Sequence, residues 1–385
     1  MERAELIQLL RVTGCAEERG DFTFLCDPAW SSVDRANVKA LQESKVGKPS
    51  SAIPHGWLCI PTGGSSGSVR FARHDEHTLT AAVQGFCAHF GFEQVNAVDV
   101  LPAHHVSGLM ARVRCAATGG EHVVWEWKRL EAGERPMLDQ RRGSWVISLV
   151  PTQLQRLLAS ADTVAWLRDF SVIFIGGGPV WPELTEAAAK SQLPISLSYG
   201  MTETAAMVAA LRPAEFLAGD RSSGSALPHA RISIEAEGAI QIAGDSIFRG
   251  YFPEERTARV FVTEDIGRLD ERGQLHVLGR RDAVIITGGE KVQPMEVEAA
   301  LRASGEFSDV VVVSLPDAEW GQIVVACYAL GTQPPDWARV SAALMGLAAF
   351  KRPKRFVAVA SWPRNAQGKI NRTALAAAAR QKREA

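Results

Sequence analysis

The chain has 385 residues, 46% of them hydrophobic and 22% charged, with a formal net charge of -1. That composition belongs to a globular protein long enough for two domains or three, and its balanced charge gives no global field to draw nucleic acid or an anionic membrane. Six scattered cysteines without a Cys-x-x-Cys pair, an acid-bearing start at Met1–Glu5 and no apolar run near the roughly eighteen residues of a membrane span predict a reduced, cytoplasmic protein with no membrane segment.

In residues 1–50, Leu6, Leu9 and Leu10 share one face of a short helix, and Ser31–Ser51 is polar enough for a connector or a helix surface. Trp57–Ile60 reads as a short strand feeding Ile60–Phe71, in which every residue from Thr62 to Ser68 is Gly, Ser or Thr. Glycine lets backbone approach a ligand closely, and successive N–H groups form a concavity for anions. The hydroxyls add donors, and Arg70 adds a planar cation suited to phosphate. The Gly-Lys-Ser/Thr ending of a Walker loop is absent, and composition alone fits a plain surface turn as well. Leu79, Ala82, Val83, Phe86 and Phe90 recur at helical spacing over His77–Phe90 with Asp75 as a cap, so a helix N-terminus is expected close to the anion loop. His74 and His77 stand in a polar setting with no third metal ligand evident.

An apolar strand from Asn96 ends at Pro102, and His104 and His105 follow in a turn, where packed, solvated and catalytic histidines all occur. Ser144–Val150 predicts a strand and Pro151–Ala159 a helix opened by its proline. Phe170–Ile175 is a buried strand running into Gly176, Gly177 and Gly178, and Pro194–Ser198 repeats the plan into Tyr199, Gly200 and a polar turn at Thr202–Thr204. This alternation predicts a large layered α/β N-terminal domain, with ligands at the carboxyl ends of its strands. The glycine-rich loop, His105, the three glycines and Tyr199–Thr204 all fall at predicted strand ends.

From Arg231 the chain changes to short strands and turns, Arg231–Ala236, Ala239–Ala243 and a hairpin turning at Asp270–Gly273. A small β-rich subdomain over about 225–279 completes an N-terminal domain of residues 1–279. Gly279–Asp282 reads as a linker, with residues 280–282 the hinge. Strands at Ala283–Ile286, Val310–Leu315, Ile323–Ala329 and Arg355–Val359, with helices at Pro294–Arg302 and Val340–Phe350, predict a compact α+β C-terminal domain over 283–385. The basic clusters Lys351–Lys354 and Arg380–Arg383 read as solvated faces. A polar loop near the end holds Lys369 beside Gly368.

Five of these segments, in this order, resemble the acyl-adenylate-forming enzymes, the ANL superfamily of acyl- and aryl-CoA ligases, luciferases and adenylation domains. The likeness runs from about Ile60 to Ala378. Thr62–Arg70 is similar to the family's phosphate loop, Tyr199-Gly-Met-Thr-Glu203 to its adenylate motif, and Thr263–Asp270 to its ribose motif. Gly279–Glu290 is similar to the hinge with its following strand, and Arg364–Lys369 to the C-terminal lysine motif. Leu101-Pro-x-x-His105-x-Ser107-Gly108 and Gly176-Gly-Gly-Pro179 resemble the o-succinylbenzoate–CoA ligase branch, which serves menaquinone and phylloquinone synthesis. Two features depart from the family pattern. Val69-Arg70-Phe71 stands where Pro-Lys-Gly is usual, and the region before the loop is short.

The resemblance implies a mobile C-terminal domain, ATP and Mg²⁺ as cofactors, and a small-molecule carboxylic acid and coenzyme A as substrates, with a homo-oligomer possible. It implies Thr62, Gly63, Gly64, Ser65, Ser66, Gly67 and Arg70 on the β- and γ-phosphates. Thr202 would touch the α-phosphate and Glu203 would hold Mg²⁺. Tyr199 and Gly200 would lie against the adenine, with Gly176, Gly177 and Gly178 letting backbone close over the base. Asp265 would take the ribose hydroxyls with Arg280 alongside. Lys369 would reach the acyl carboxylate, Asp282 would be the pivot that later carries Gly288–Glu290 to the thioester site, and His105 would line the acyl pocket. Another acyl- or aryl-CoA ligase, a stand-alone adenylation enzyme and a non-catalytic nucleotide-binding relative remain open.

Overall fold

Leu6 and Leu10 lie one helical turn apart, and both are buried on one side of the first helix, α1 (Arg3–Arg11). The computed structural model describes residues 1–45, 56–63, 69–139, 141, 143–307, 309–331, 333–364 and 370–381. After α1 come β1 (Ala16–Arg19), β2 (Phe22–Leu25), α2 (Ser32–Lys45), β3 (Leu58–Gly63) and β4 (Val69–His74). The four strands form one sheet in the order β1-β2-β3-β4, with β2 and β3 parallel and the other pairs antiparallel. Thr62 faces Arg70 across the β3–β4 hairpin, Ile60 faces Ala72, and Ala72 bridges Tyr251. Because side chains alternate along a strand, Thr62, Arg70 and Tyr251 share one face and Phe71 points to the other. There Phe71 packs edge-on against Phe24, which packs in turn on Phe252, with ring centroids 5.1 and 5.0 Å apart.

The chain continues through α3 (Glu76–Phe90), β5 (Val95–Asp99), α4 (Val106–Thr118), β6 (His122–Val124), α5 (Trp127–Glu131), β7 (Ser144–Leu149), α6 (Pro151–Leu157) and α7 (Ala161–Leu167). Then follow β8 (Val172–Ile175), α8 (Pro182–Lys190), β9 (Ile195–Met201), β10 (Ala206–Ala210), α9 (Pro213–Leu217) and β11 (Ser225–Ala226). The second sheet has the order β11-β10-β9-β8-β7-β5-β6. Strands β5 to β9 are parallel, while β10 and β11 run antiparallel. Leu154 and Leu184 bury one face with Ile147, Ile173 and Ile195; Phe86 and Cys115 bury the other with Val146 and Phe174. The parallel strands end along one edge, at Asp99, Leu149, Ile175 and Met201.

An antiparallel four-stranded sheet follows, from β12 (Ala230–Ile234), β13 (Ala239–Gly244), β14 (Val260–Leu269) and β15 (Leu275–Arg280). A 3-10 turn at Arg281–Ala283 leads to the hairpin β16 (Ile285–Thr287) and β17 (Glu290–Val292). Last come α10 (Pro294–Ala303), β18 (Val310–Asp317), β19 (Gly321–Ala329), α11 (Trp337–Leu344), β20 (Arg355–Val359) and α12 (Arg372–Gln381), with a sheet ordered β18-β19-β20. The architecture is thus the expected one: a large layered α/β part, a small β-rich part and an α+β C-terminal part.

Several local expectations are corrected. Strands β3 and β4, on either side of the glycine-rich stretch, pair as a hairpin in their own sheet, and β4 intervenes before α3, so the helix begins at the far end of β4, about 20 Å of strand away. Strand β5 stops at Asp99, whose carboxylate takes the Leu101 N–H at 3.1 Å. Strand β9 runs on through Tyr199 and Gly200 because β10 folds back and pairs with them. Gly279 and Arg280 are strand, not linker, since Arg280 pairs with Asp265. The first C-terminal strand starts at Ile285. The helix expected over Val340–Phe350 starts earlier, where Asp336 caps the N–H groups of Ala338 and Arg339, and it ends at Leu344, ahead of Gly346.

Candidate active site

At the carboxyl end of β9 a 3-10 turn, Thr202–Thr204, carries the chain back into β10. Gly200 makes the reversal possible: a Cβ there would sit 2.0 Å from the Ala206 carbonyl oxygen. The turn is held from the neighbouring sheet by His74, whose Nε2–H donates to the Thr202 carbonyl at 2.7 Å. Burial pulls His74 down to about 4 and keeps it neutral. The Glu203 carboxylate then faces the β3–β4 hairpin. Tyr251 donates its hydroxyl to Glu203 Oε1 at 2.7 Å, and Thr62 Oγ1 lies 3.4 Å from the same oxygen. The Arg70 guanidinium stands over the Tyr251 ring, 4.2 Å from its centroid.

Tyr251 is fixed because its segment pairs with β4 like a further strand. Arg249 N–H donates to the Arg73 carbonyl at 2.7 Å, Arg73 N–H to Gly250 at 2.9 Å and Phe252 N–H to Phe71 at 2.8 Å. Arg249 also bonds Asp75 at 2.8 Å. Burial and the Glu203 charge raise the Tyr251 phenol above its ordinary range. Glu203 is 6% exposed and makes no ion pair among the described residues. A buried carboxylate whose partners among the described residues are hydroxyls suits a hard divalent cation. No cluster of three His, Cys, Asp or Glu among the described residues could hold a metal unaided, so such an ion would share its ligands with a bound anion.

A second group gathers where β9 meets the small sheet. Tyr199 is mostly covered and donates its hydroxyl to Asp265 Oδ2 at 2.8 Å. Arg280 sits opposite Asp265 in the β14–β15 register, with Nη1 3.5 Å from Asp265 Oδ1. Its Nε and Nη2 grip Asp282 at 2.8 and 2.7 Å, which raises its already high pKa further. At the end of β8, Gly177 adopts φ +76, and a Cβ on Gly176 would meet Ser198 Oγ at 3.1 Å.

A third group surrounds the start of α4. His105 occupies its N-cap position, and the His104 ring stacks at a tilt on His105, 4.5 Å between centroids. His104 is buried with Nε2 3.4 Å from Asp27 Oδ2. His122 Nε2–H donates to Asp99 Oδ2 at 3.1 Å. Further along α4, Arg114 is 3% exposed, its guanidinium 4.0 Å over the Phe86 ring. Among the described residues its Nε and Nη2 have no acceptor, and neither ring nitrogen of His229 nor Ser196 Oγ has a partner. Burial lowers Arg114 to about 10; burial and the Arg114 charge lower His229 to about 4. Ser196 alternates with Ile195 and Leu197, so it lies on the α3–α4 face of the sheet with Arg114.

The structure therefore brings Thr62, Arg70, Thr202 and Glu203 to one corner, and Tyr199, Asp265, Arg280 and Asp282 to another. Gly64, Ser65, Ser66, Gly67 and Lys369 lie outside the described residues. Tyr251 and Arg114 escaped the sequence reading, and His74, expected in a polar setting, is instead buried against the Thr202 turn. One signal was available: the chain has 3 tyrosines against 15 phenylalanines, and two of those tyrosines each give a hydroxyl to a carboxylate here. Arg114 is one of two arginines, with Arg112, inside the otherwise apolar run Leu109–Cys115, and nothing in that run singles it out.

Residues 26–252 match the AMP-binding enzyme family, and residues 296–369 match the AMP-binding enzyme C-terminal domain. The 2-succinylbenzoate–CoA ligase of Listeria innocua is 35% identical over 281 residues, covering 71% of this chain and 60% of the relative. That of Enterococcus faecalis is 34% identical over 286 residues, covering 70% and 58%. The chain thus spans about three fifths of the length of the curated relatives it matches. The solved o-succinylbenzoate CoA synthetase (MenE) of Bacillus subtilis, in complex with the acyl-adenylate intermediate OSB-AMP, superposes with a TM-score of 0.76 at 25% identity, over 94% of this chain and 78% of that one. With that domain matched over more than half its length, the chain belongs to the AMP-binding enzyme family.

Proposed function

We propose that the chain is an AMP-forming acid–thiol ligase that converts 2-succinylbenzoate to 2-succinylbenzoyl-CoA, acting in the cytoplasm. A carboxylate is a poor acyl donor because oxide would have to leave. In this reading the carboxylate oxygen attacks the α-phosphorus of ATP and pyrophosphate departs. The CoA thiol then attacks the acyl carbon, AMP leaves, and the thiol proton passes to water. The first step crowds anions together, so the site must supply cations and N–H donors. Thr62 and Arg70 serve the outer phosphates, and Asp265 with Tyr199 and Arg280 serves the nucleoside. Mg²⁺, when held by Glu203, would neutralise phosphate charge. Lys369, placed by its sequence motif, would stabilise charge between acyl carboxylate and α-phosphate, and Asp282 would be the pivot of the C-terminal domain.

The observation that carries the choice of acid is Arg114. A buried guanidinium with donors unfilled among the described residues is costly unless an anion meets it. 2-Succinylbenzoate brings a second carboxylate on an aromatic ring, and Arg114 already lies against an aromatic face. Support also comes from the names of the relatives. Six unpaired cysteines agree with a reducing compartment.

The test is ATP–pyrophosphate exchange with 2-succinylbenzoate, benzoate and a fatty acid. Exchange confined to 2-succinylbenzoate, and reduced at least tenfold by Arg114→Leu, is expected. Exchange with benzoate or the fatty acid instead would reassign the acid, and ATP binding without any exchange would make the chain a nucleotide-binding relative. Lys369→Ala should abolish exchange yet spare thioester formation from supplied acyl-AMP.

A further inference from the structure

The family's usual phosphate-loop lysine is replaced here by Arg70, and the structure shows what accompanies the exchange. The register of β3, β4 and the segment paired to β4 puts Thr62, Arg70 and Tyr251 on one sheet face. The same tyrosine serves both charged groups of that corner: its ring lies under the Arg70 guanidinium and its hydroxyl donates to Glu203 Oε1. A planar guanidinium stacks on an aromatic face in a way that an ammonium on a flexible stem does not. Phenylalanine would keep the stack and lose the hydroxyl; only tyrosine does both.

We propose that Tyr251 is a positioning residue that ties the phosphate-binding cation Arg70 to the metal-binding carboxylate Glu203, so that nucleotide phosphates and their divalent ion are gripped as one unit. The inference rests on the ligase reading in that both groups face ATP. It gives Arg70 a defined stance in place of a loose loop side chain. It also commits Glu203 Oε1 to Tyr251 and Thr62, so that the carboxylate which would hold the cation is fixed by both hydroxyls.

Calorimetric titration of the full chain with ATP, with and without Mg²⁺, and with AMP in parallel, tests this. Tyr251→Phe should bind Mg²⁺-free ATP like the parent but lose the Mg²⁺-dependent gain by about tenfold, the size of one hydrogen bond to a charged group. Tyr251→Leu should in addition weaken Mg²⁺-free ATP about threefold through loss of the stack. Arg70→Lys should show that second loss with the Mg²⁺ gain retained. AMP affinity should be unchanged in all three, because the nucleoside group lies elsewhere. A full Mg²⁺ gain in Tyr251→Phe overturns the proposal and leaves the ligase reading standing. Weakened AMP binding in Tyr251→Phe also overturns it, since the role would then be general packing. A parent protein that binds no ATP overturns both.

Discussion

The Asp265 carboxylate joins Tyr199 to Arg280. It accepts the Tyr199 hydroxyl on one oxygen and approaches Arg280 with the other. Arg280 in turn holds Asp282 through a short two-bond grip. Removing the carboxylate leaves a covered phenol and a guanidinium without it and, in the proposed reading, takes away the acceptor pair for ribose. Asp265→Ala is therefore expected to weaken ATP by about a hundredfold or more, the size of two hydrogen bonds to a charged group. An unchanged KM for ATP would remove Asp265 from the nucleotide site. The glycines of the site differ in what they require. Gly200 has backbone in the space of its missing Cβ, whereas a Cβ on Gly178 would meet nothing within 4 Å. Gly178→Ala should accordingly leave folding intact where Gly200→Ala does not.

At the scale of elements, α3 and the segment carrying Tyr251 share one anchor. Asp75 caps the helix through the Thr78 N–H at 3.0 Å and pairs with Arg249 at 2.8 Å. Both charges are largely buried, so removing one strands the other. Asp75→Ala is expected to cost about 3–5 kcal/mol of stability in urea unfolding. Asp75→Asn keeps a capping acceptor and should cost less; a loss under 1 kcal/mol in Asp75→Ala, a cap's worth or less, would show the ion pair to be immaterial. This anchor also marks the limit of what the chain discloses locally. The parallel strands β5, β7, β8 and β9 are legible because they are apolar runs stopped by Gly or Pro, and α3 and α10 because their apolar spacing is helical; the three-residue β6, with no such stop, is not. The strand Ala16–Arg19 is hidden because Ala-Glu-Glu-Arg lies at a sheet edge with mostly exposed side chains, so no alternation betrays it. The hairpin return of β4 is hidden because an antiparallel partner leaves no mark on local spacing. Tyr251 comes to the site through pairing with β4, across some 180 residues of sequence, and no motif reading reaches that far without coordinates.

For the molecule as a whole, buried histidines set the acid limit. His74 and His229 are both held near 4, against an ordinary value of 6.5, chiefly by burial. The unfolded chain takes up a proton at each as pH falls below about 6.5, while the folded protein refuses it until about 4. Stability is therefore full above the unfolded value and declines as pH falls toward the folded one, by up to about 1.4 kcal/mol per pH unit for each histidine. Thermal unfolding between pH 6.5 and 4.5 should fall less steeply in His229→Phe, since the His229 ring nitrogens have no partners among the described residues to lose. An unaltered slope would show that His229 takes no part.

The two tyrosines bound to carboxylates have an opposite consequence. Each keeps its proton beyond the ordinary phenol range, so each lends stability that is intact below that range and fades as pH climbs through it. Alkali must therefore take these two corners apart before it can ionise their phenols. The ultraviolet signal of phenolate becomes a direct gauge of whether those corners are still assembled, and ATP should delay its appearance.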